Sequence, residues 1–276
     1  MSARSEMRER ADLLSELRQI VQAMKNVAFA ELQRVTRALP ALDEARESVL
    51  RALDSVRQDP APAQPQPVVA PGTLWLAIGA DRGFCGAFNA RLAAAIEKLR
   101  CDDPQARVLI ASRRLAELVD GTTPQIASIA GCSSIEDAYP ALEGWLAAID
   151  RAAADAREVR LLHVGEEGIA IRRLLPALEA PRDAHGARQT RTEIGKPLHY
   201  LPLPDLRSAL VRQAVRLLVQ TGLYRSLEQE NRARLVQMQR AQDHLDELGR
   251  KLRRRYAVVR QAEITNELEL LMTSIG

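Results

Sequence analysis

A chain of 276 residues that is 46% apolar but only 3% aromatic is long enough to bury a real core and must fill it with Leu, Val, Ile and Ala rather than rings. That mixture favours helices, long ones above all, and excludes a disordered chain. A formal net charge of +3 is too slight to argue for nucleic acid, which needs a concentrated basic face.

Residues 2–57 contain one proline and no glycine. Their apolar residues fall at Leu13, Leu17, Ile20, Met24, Val27, Leu32, Val35, Leu39, Leu42, Val49, Leu53 and Val56, mostly three or four apart. The spacing predicts a helix over 1–57 with one apolar seam, reaching roughly 80 Å at 1.5 Å per residue. Pro40 predicts a bend or break just before it, since an interior proline costs ~3 kcal/mol. The stretch from Arg4 to Arg10 is charged rather than apolar, and no run approaches the ~20 apolar residues of a membrane span. Direct membrane insertion is therefore not expected.

Five prolines between Arg57 and Gly72 remove backbone donors and favour extended chain, so 58–72 reads as a linker and a domain boundary. The middle, 73–204, alternates short β-like runs with helical ones. TLWLAIGA from Thr73 reads as a strand, 87–100 as a helix, RVLIAS from Arg107 as a strand and 113–119 as a helix. A longer helix is expected over 135–156, followed by strands EVRLLHV and GIAIRRLL. Strands alternating with helices imply crossovers and a mostly parallel sheet, a small α/β domain, less clearly patterned over 182–196. Asp205 is placed to cap a last helix over 205–276, where no further proline occurs and apolar positions keep helical spacing from Leu210 to Ile275. Gly222 and Gly249 interrupt it at ~1 kcal/mol each. At full length it spans roughly 100 Å.

Helices this long depend on packing of their apolar seams. Running the first up and the last back gives an antiparallel α-helical coiled coil with the α/β domain at its base, an object suited to be a lever, spacer or shaft.

Few residue constellations suggest chemistry. Glycines at 79, 83 and 86 lie between the first strand and the following helix, where a phosphate-binding turn is possible, but the spacing is GxxxGxxG rather than GxGxxG. No Tyr-x-x-x-Lys occurs to serve reductase chemistry, and the plainer reading is a crowded strand-to-helix turn. Three cysteines, Cys85, Cys101 and Cys132, have no CxxC spacing and predict reduced thiols. Cys85 has no neighbouring histidine and reads as a small buried residue rather than a nucleophile. His163, His185, His199 and His244 share no metal-ligand spacing. Neither cofactor nor metal is expected. From Asn231 to Arg260 nine basic residues face three acidic ones. The block Arg250, Lys251, Arg253, Arg254 and Arg255 fits either a solvated helix face or a contact for acidic loops of a protein collar.

Two segments resemble a known family. Ala80-Asp81-Arg82-Gly83-Phe84-Cys85-Gly86-Ala87-Phe88-Asn89 is similar to the SDRGLCGGFN signature of F-type ATP synthase gamma subunits, departing at Ala80, Phe84 and Ala87. The segment from Tyr256 to Leu268 resembles the family's YNKARQAxITxEL, and Ala233-Arg234 with Met238 its ARMxxM pattern. Gln22-Ala23-Met24-Lys25-Asn26-Val27-Ala28 is more loosely similar to KAMEMVA.

The resemblance implies α/β plus a long antiparallel coiled coil, with a small Rossmann-like central domain. It also implies a non-catalytic rotor shaft, entering a ring of alpha and beta subunits and meeting the epsilon subunit and membrane rotor ring below. Ion flow would turn the shaft and impose successive conformations on the beta-subunit catalytic sites. Contacts with beta-subunit loops are implied at Arg234, Arg260, Gln261, Thr265 and Glu267, and across the basic block at Arg250, Lys251, Arg253, Arg254 and Arg255. The signature turn is carried by Asp81, Arg82, Gly83, Cys85, Gly86 and Asn89. The implied location is peripheral, at the cytoplasmic face of the inner membrane, with no nucleic acid and no small-molecule ligand among the partners. Phe29-Ala30-Glu31-Leu32 replaces the family's basic run around SKM, and Gln239 stands where lysine is usual, which points to a divergent branch. The competing readings are a dinucleotide-binding oxidoreductase with helical extensions, and an unrelated coiled-coil scaffold.

Overall fold

The computed structural model describes residues 3–57, 72–119, 126–153, 156–175 and 200–275. Residues 58–71 of the expected linker and the stretch 182–196 lie outside the described residues. Two compact units are present, Glu31–Asn231, and Met1–Ala30 with Arg232–Gly276. Helix α1 (Ala3–Arg57) and helix α5 (Leu203–Ile275) contribute residues to both.

The larger unit holds a five-stranded sheet in the order β3-β2-β1-β4-β5. Its strands are β1 (Thr73–Ile78), β2 (Arg107–Ala111), β3 (Ile126–Ile129), β4 (Glu158–Gly165) and β5 (Gly168–Leu175). The first four run parallel, joined through α2 (Phe88–Asp102), the short α3 (Arg113–Ala116) and α4 (Ala138–Ala153). Central β1 is buried on both faces, which is why it reads as an unbroken apolar run rather than an alternating one. Its Leu74, Leu76 and Ile78 join one core with Leu142, Trp145 and Ile149 of α4, Val35 and Leu39 of α1, and Val215, Leu218, Val219, Leu223 and Leu227 of α5. Trp75 and Ala77 alternate to the opposite face. On α2, Phe88, Leu92 and Ile96 are fully buried outside that core.

The sheet is mostly parallel, as the alternation of elements implies, but β4 and β5 form an antiparallel hairpin. Gly165 and Gly168 pair across the two-residue turn Glu166-Glu167, and Gly168 takes φ +122°, a conformation open to glycine. Strand β3 has no counterpart in the sequence reading. Its four residues are only partly covered, so they carry neither the length nor the apolar run that marks a strand.

Helix α1 passes through Pro40 without the expected break. Pro40 and Thr36 both lie on the exposed side, so the carbonyl that loses its partner at Thr36 faces water rather than the core. Helix α5 starts two residues before the expected cap. The amides of Asp205 and Leu206 both donate to the Pro202 carbonyl at 3.0 Å, leaving the Asp205 carboxylate in the first turn, where the helix end favours negative charge.

The smaller unit is an antiparallel helix pair. Lys25 Nζ donates to Gln239 Oε1 at 2.5 Å and Gln242 Oε1 at 3.3 Å, Gln242 Nε2 donates to Gln22 Oε1 at 3.3 Å, and Arg18 pairs with Asp246 at 3.3 Å. Numbers rise on one helix as they fall on the other. On α5 the covered positions include Leu235, Met238, Gln242, Leu245, Gly249, Leu252, Tyr256 and Val259, alternating three and four as in a heptad seam. Leu248 and Leu268, within the apolar spacing that runs from Leu210 to Ile275, are exposed.

On α1 the expected row splits: Met24, Val35, Leu39 and Leu53 are covered, but the positions nearest the start of the helix are not. Leu13, Leu17, Ile20 and Val27 are exposed, whereas Leu14, Val21, Met24 and Ala28 are covered. Apolar doublets recur every seven residues, Leu13-Leu14, Ile20-Val21 and Val27-Ala28. Either member satisfies the same period, and only the partner helix decides which is buried.

Candidate functional site

The turn between β1 and α2 is held by side chains that reach back to its own backbone. Asn89, on the first turn of α2, receives the Ala80 amide at Oδ1 (2.9 Å) and donates from Nδ2 to the Ala80 carbonyl (2.8 Å), both buried. Ser112 Oγ donates to the same carbonyl at 2.9 Å and accepts the Leu115 amide at 3.1 Å, capping α3. The Asp81 carboxylate accepts the Arg113 amide at 2.8 Å. One carboxamide, one hydroxyl and one carboxylate thus tie the ends of β1 and β2 together.

The glycines answer to crowding at this junction. A Cβ on Gly79 would lie 2.8 Å from Ser112 Cβ and from Leu115 Cβ, and one on Gly131 would lie 2.1 Å from Asp81 Oδ2. Gly86 takes φ +61°. Phe84 also adopts a left-handed conformation, at φ +62°, with its ring 64% exposed. Cys85 is buried, its thiol directed at the Arg82 carbonyl at 3.7 Å. The expected signature residues are therefore brought together, and what they build is a braced turn.

Beside it, Ser134 and Asp137 bond reciprocally at the start of α4, with Ser134 Oγ to Asp137 Oδ2 at 2.7 Å and the Asp137 amide to Ser134 Oγ at 3.3 Å. The two serine hydroxyls, Ser134 first and Ser133 next, hold the Asp137 carboxyl below its usual range, and the Arg82 charge adds to the effect. Burial pushes the neighbouring Cys132 thiol up to about 12, so it stays protonated and unreactive at neutral pH. Burial likewise lowers the pKa of His163, whose Nδ1 lies 3.1 Å from the Val164 carbonyl.

The turn and three arginines line a cleft of about 860 Å³ at the carboxyl ends of β1 and β2. Arg82 comes from the turn, Arg113 and Arg114 from the start of α3. The last two escaped the sequence reading because Arg113-Arg114 sits in an ordinary helical run; only the fold brings it against the glycine turn.

On the helix pair, Arg250, Lys251, Arg253, Arg254 and Arg255 are exposed, as are Arg260, Gln261 and Thr265. Lys251 pairs with Glu247 at 2.7 Å, and that bond with the lysine charge lowers the Glu247 pKa. Thr265 Oγ1 returns its proton to the Gln261 carbonyl at 3.0 Å. Arg234 does not share this exposure: its side chain is buried. The side chain of Glu267 is outside the described residues. Among the described residues no helix is long and apolar enough to cross a membrane, and no group of three or more His, Cys, Asp or Glu is placed to hold a metal.

Comparison with known proteins agrees with this architecture. The ATP synthase family model matches residues 3–273. The ATP synthase gamma chain of Rubrobacter xylanophilus is 30% identical, the match covering 90% of this chain and 88% of that one. The gamma chain of Paraburkholderia phymatum is 24% identical, with 97% of each covered. Among solved structures, the rotor of Euglena gracilis mitochondrial ATP synthase superposes with a TM-score of 0.60 at 15% identity, covering 95% of this chain and 98% of that one. A second Euglena gracilis structure, containing OSCP, F1 and c-ring, gives 0.63 at 16%, covering 99% and 93%. With its antiparallel helix pair, its braced glycine turn and matches along almost its whole length, the chain belongs to the ATP synthase gamma-chain family.

Proposed function

We infer that this chain is the non-catalytic central rotor shaft of an F-type ATP synthase, carrying the rotation of a membrane ion-driven ring to the beta-subunit catalytic sites. The observation that carries the reading beyond family membership is the outer surface of the helix pair. Its own seam is already occupied, yet α1 presents a second apolar row, Leu13, Leu17, Ile20 and Val27, each 40% exposed or more. A row of that kind needs a covering partner, which the alpha and beta subunits of the ring would supply.

Around it, Arg250, Lys251, Arg253, Arg254, Arg255 and Arg260 project outward with Gln261 and Thr265. Each guanidinium offers a forked, permanent positive donor, suited to carboxylate loops that are met, released and met again as the shaft turns. Glu267 belongs to the same group by resemblance. Arg234 contributes from a buried position, where it would brace the shaft more than touch a partner. The epsilon subunit and the membrane rotor ring complete the set of partners, and the chain is peripheral at the cytoplasmic face of the inner membrane.

The dinucleotide reading loses ground at the turn. The backbone groups of Ala80 that a pyrophosphate would compete for are taken by Asn89, and the Arg113 amide by Asp81. Co-expression with its own alpha and beta subunits tests the assignment. The chain should co-purify with them, and Arg260→Ala with Gln261→Ala should lower ATP turnover without loss of assembly. Failure to assemble, together with tight NAD binding, would remove the rotor assignment. Full turnover in the double variant would remove only the roles given to Arg260 and Gln261.

A further inference from the structure

The cleft beside the braced turn combines three features that its structural role leaves unexplained. It gathers the guanidinium groups of Arg82, Arg113 and Arg114, none of which is in an ion pair with another described residue. An excess of positive charge at one concavity draws an anion to it. Two carboxylates line the cleft as well, Asp81, engaged by the Arg113 amide at 2.8 Å, and Glu117, which leaves the arginines in excess.

Close approach is the second feature. Arg114 lies over Gly83 so tightly that a Cβ there would fall 2.9 Å from Nη1, which leaves the glycine backbone and the guanidinium fork bordering the same space. The third is Phe84 at the rim, a large side chain held at φ +62° and 64% exposed. A bulky residue in that conformation is strained and marks a place where function outweighs comfort. The cleft also stands at the carboxyl ends of parallel strands, where α/β sheets take their ligands, and about 860 Å³ is ample for a small molecule.

We propose that this cleft is a binding site for a small phosphate-bearing anion, held by the side chains of Arg82, Arg113 and Arg114. The backbone amides of Ala80 and Arg113 are not the donors. Ala80 and Arg113 already have partners, so the forked guanidinium groups do the recognition, and their geometry matches phosphate oxygens two at a time. This departs from the expectation of no small-molecule ligand, and it stands or falls separately from the rotor assignment.

Isothermal titration of the purified full chain with inorganic phosphate and with tripolyphosphate tests it. Both should bind saturably at one site per chain, tripolyphosphate more tightly. Arg113→Ala with Arg114→Ala should weaken both at least tenfold while the circular dichroism spectrum is unchanged. Arg114→Lys should recover only part of the loss, because it keeps the charge and loses the fork. Arg253→Ala with Arg254→Ala, on the exposed basic block, should leave binding intact. Heat that never saturates, equal binding by the Arg113/Arg114 double variant, or binding of a glutamate-rich peptide but of neither phosphate probe would each overturn the proposal. Should the double variant unfold, Arg82→Ala gives the same test from the turn side.

Discussion

Two glycines in one helix should respond oppositely to the same substitution. Glycine to alanine in a helix interior gains about 1 kcal/mol from propensity alone. At Gly249 nothing opposes that gain. The nearest atom to an added Cβ is Arg253 Nη1 at 4.0 Å, and the position borders a hollow lined by Ala11, Leu14 and Leu252. Gly249→Ala should therefore stabilise the helix pair by about 1 kcal/mol. At Gly222 the added Cβ would fall 2.3 Å from Leu161 Cδ2 and 3.4 Å from both Leu161 Cγ and His163 Cδ2. Leu161 is fully buried, so its methyl must retreat by roughly an ångström or more to reach ordinary contact. Overpacking of that kind costs about 1–3 kcal/mol, enough to cancel the propensity gain and usually to exceed it. Hydrogen exchange followed by mass spectrometry reads each unit separately. Protection should rise in peptides around Leu245 and Leu252 for Gly249→Ala, and fall in β1 and β4 for Gly222→Ala. If both variants stabilise, the helix does not pack against β4 as closely as described, and the account of Gly222 is wrong.

Asn89→Leu removes both bonds to Ala80, leaving its buried amide without the Asn89 acceptor and its carbonyl with the Ser112 hydroxyl alone. It should cost about 2–4 kcal/mol in urea unfolding, and a cost under 1 kcal/mol would mean that the turn does not need its brace. Native alkylation with iodoacetamide should modify Cys101 and spare Cys132, whose thiol is buried and held protonated, until denaturant is added; mass spectrometry of the peptides reads this directly. His163 predicts a pH effect of definite sign. Its pKa is depressed in the folded chain, so the unfolded chain binds the extra proton first. Stability should fall as pH drops below about 6.5 and level off once the folded state is protonated too. His163→Gln should reduce that slope, and an unchanged slope would assign the acid sensitivity to other groups.

Much of the architecture was legible in the sequence because it rests on long-period signals. The absence of glycine up to Arg57 and of proline after Pro204 marks two helices whatever else they touch. The β1 run TLWLAI is apolar throughout because the strand is central. What stayed hidden depends on neighbours. Which member of Leu13-Leu14 faces inward is set by α5, not by the period of α1. Gly222 looks like a defect until Leu161 is placed beneath it. Pro40 is harmless only because Thr36 and Pro40 face water. Strand β3 is too short and too exposed to announce itself.

The candidate surfaces divide the same way. Exposure of the basic block follows from its position opposite the seam, which a helical wheel can supply. Burial of Arg234 does not, because a charged residue reads as outward until the packing around it is known. Arg113 and Arg114 join the glycine turn only through the parallel pairing of β1 with β2.

The central claim is that this chain turns inside a ring of alpha and beta subunits. Anchoring that ring to a surface and fixing a bead to this chain through Cys101, which is exposed, would show it under a microscope. Addition of ATP should make the bead rotate in one direction, and Arg260→Ala with Gln261→Ala should slow it. A bead that stays still while the anchored ring hydrolyses ATP at its full rate would contradict the account.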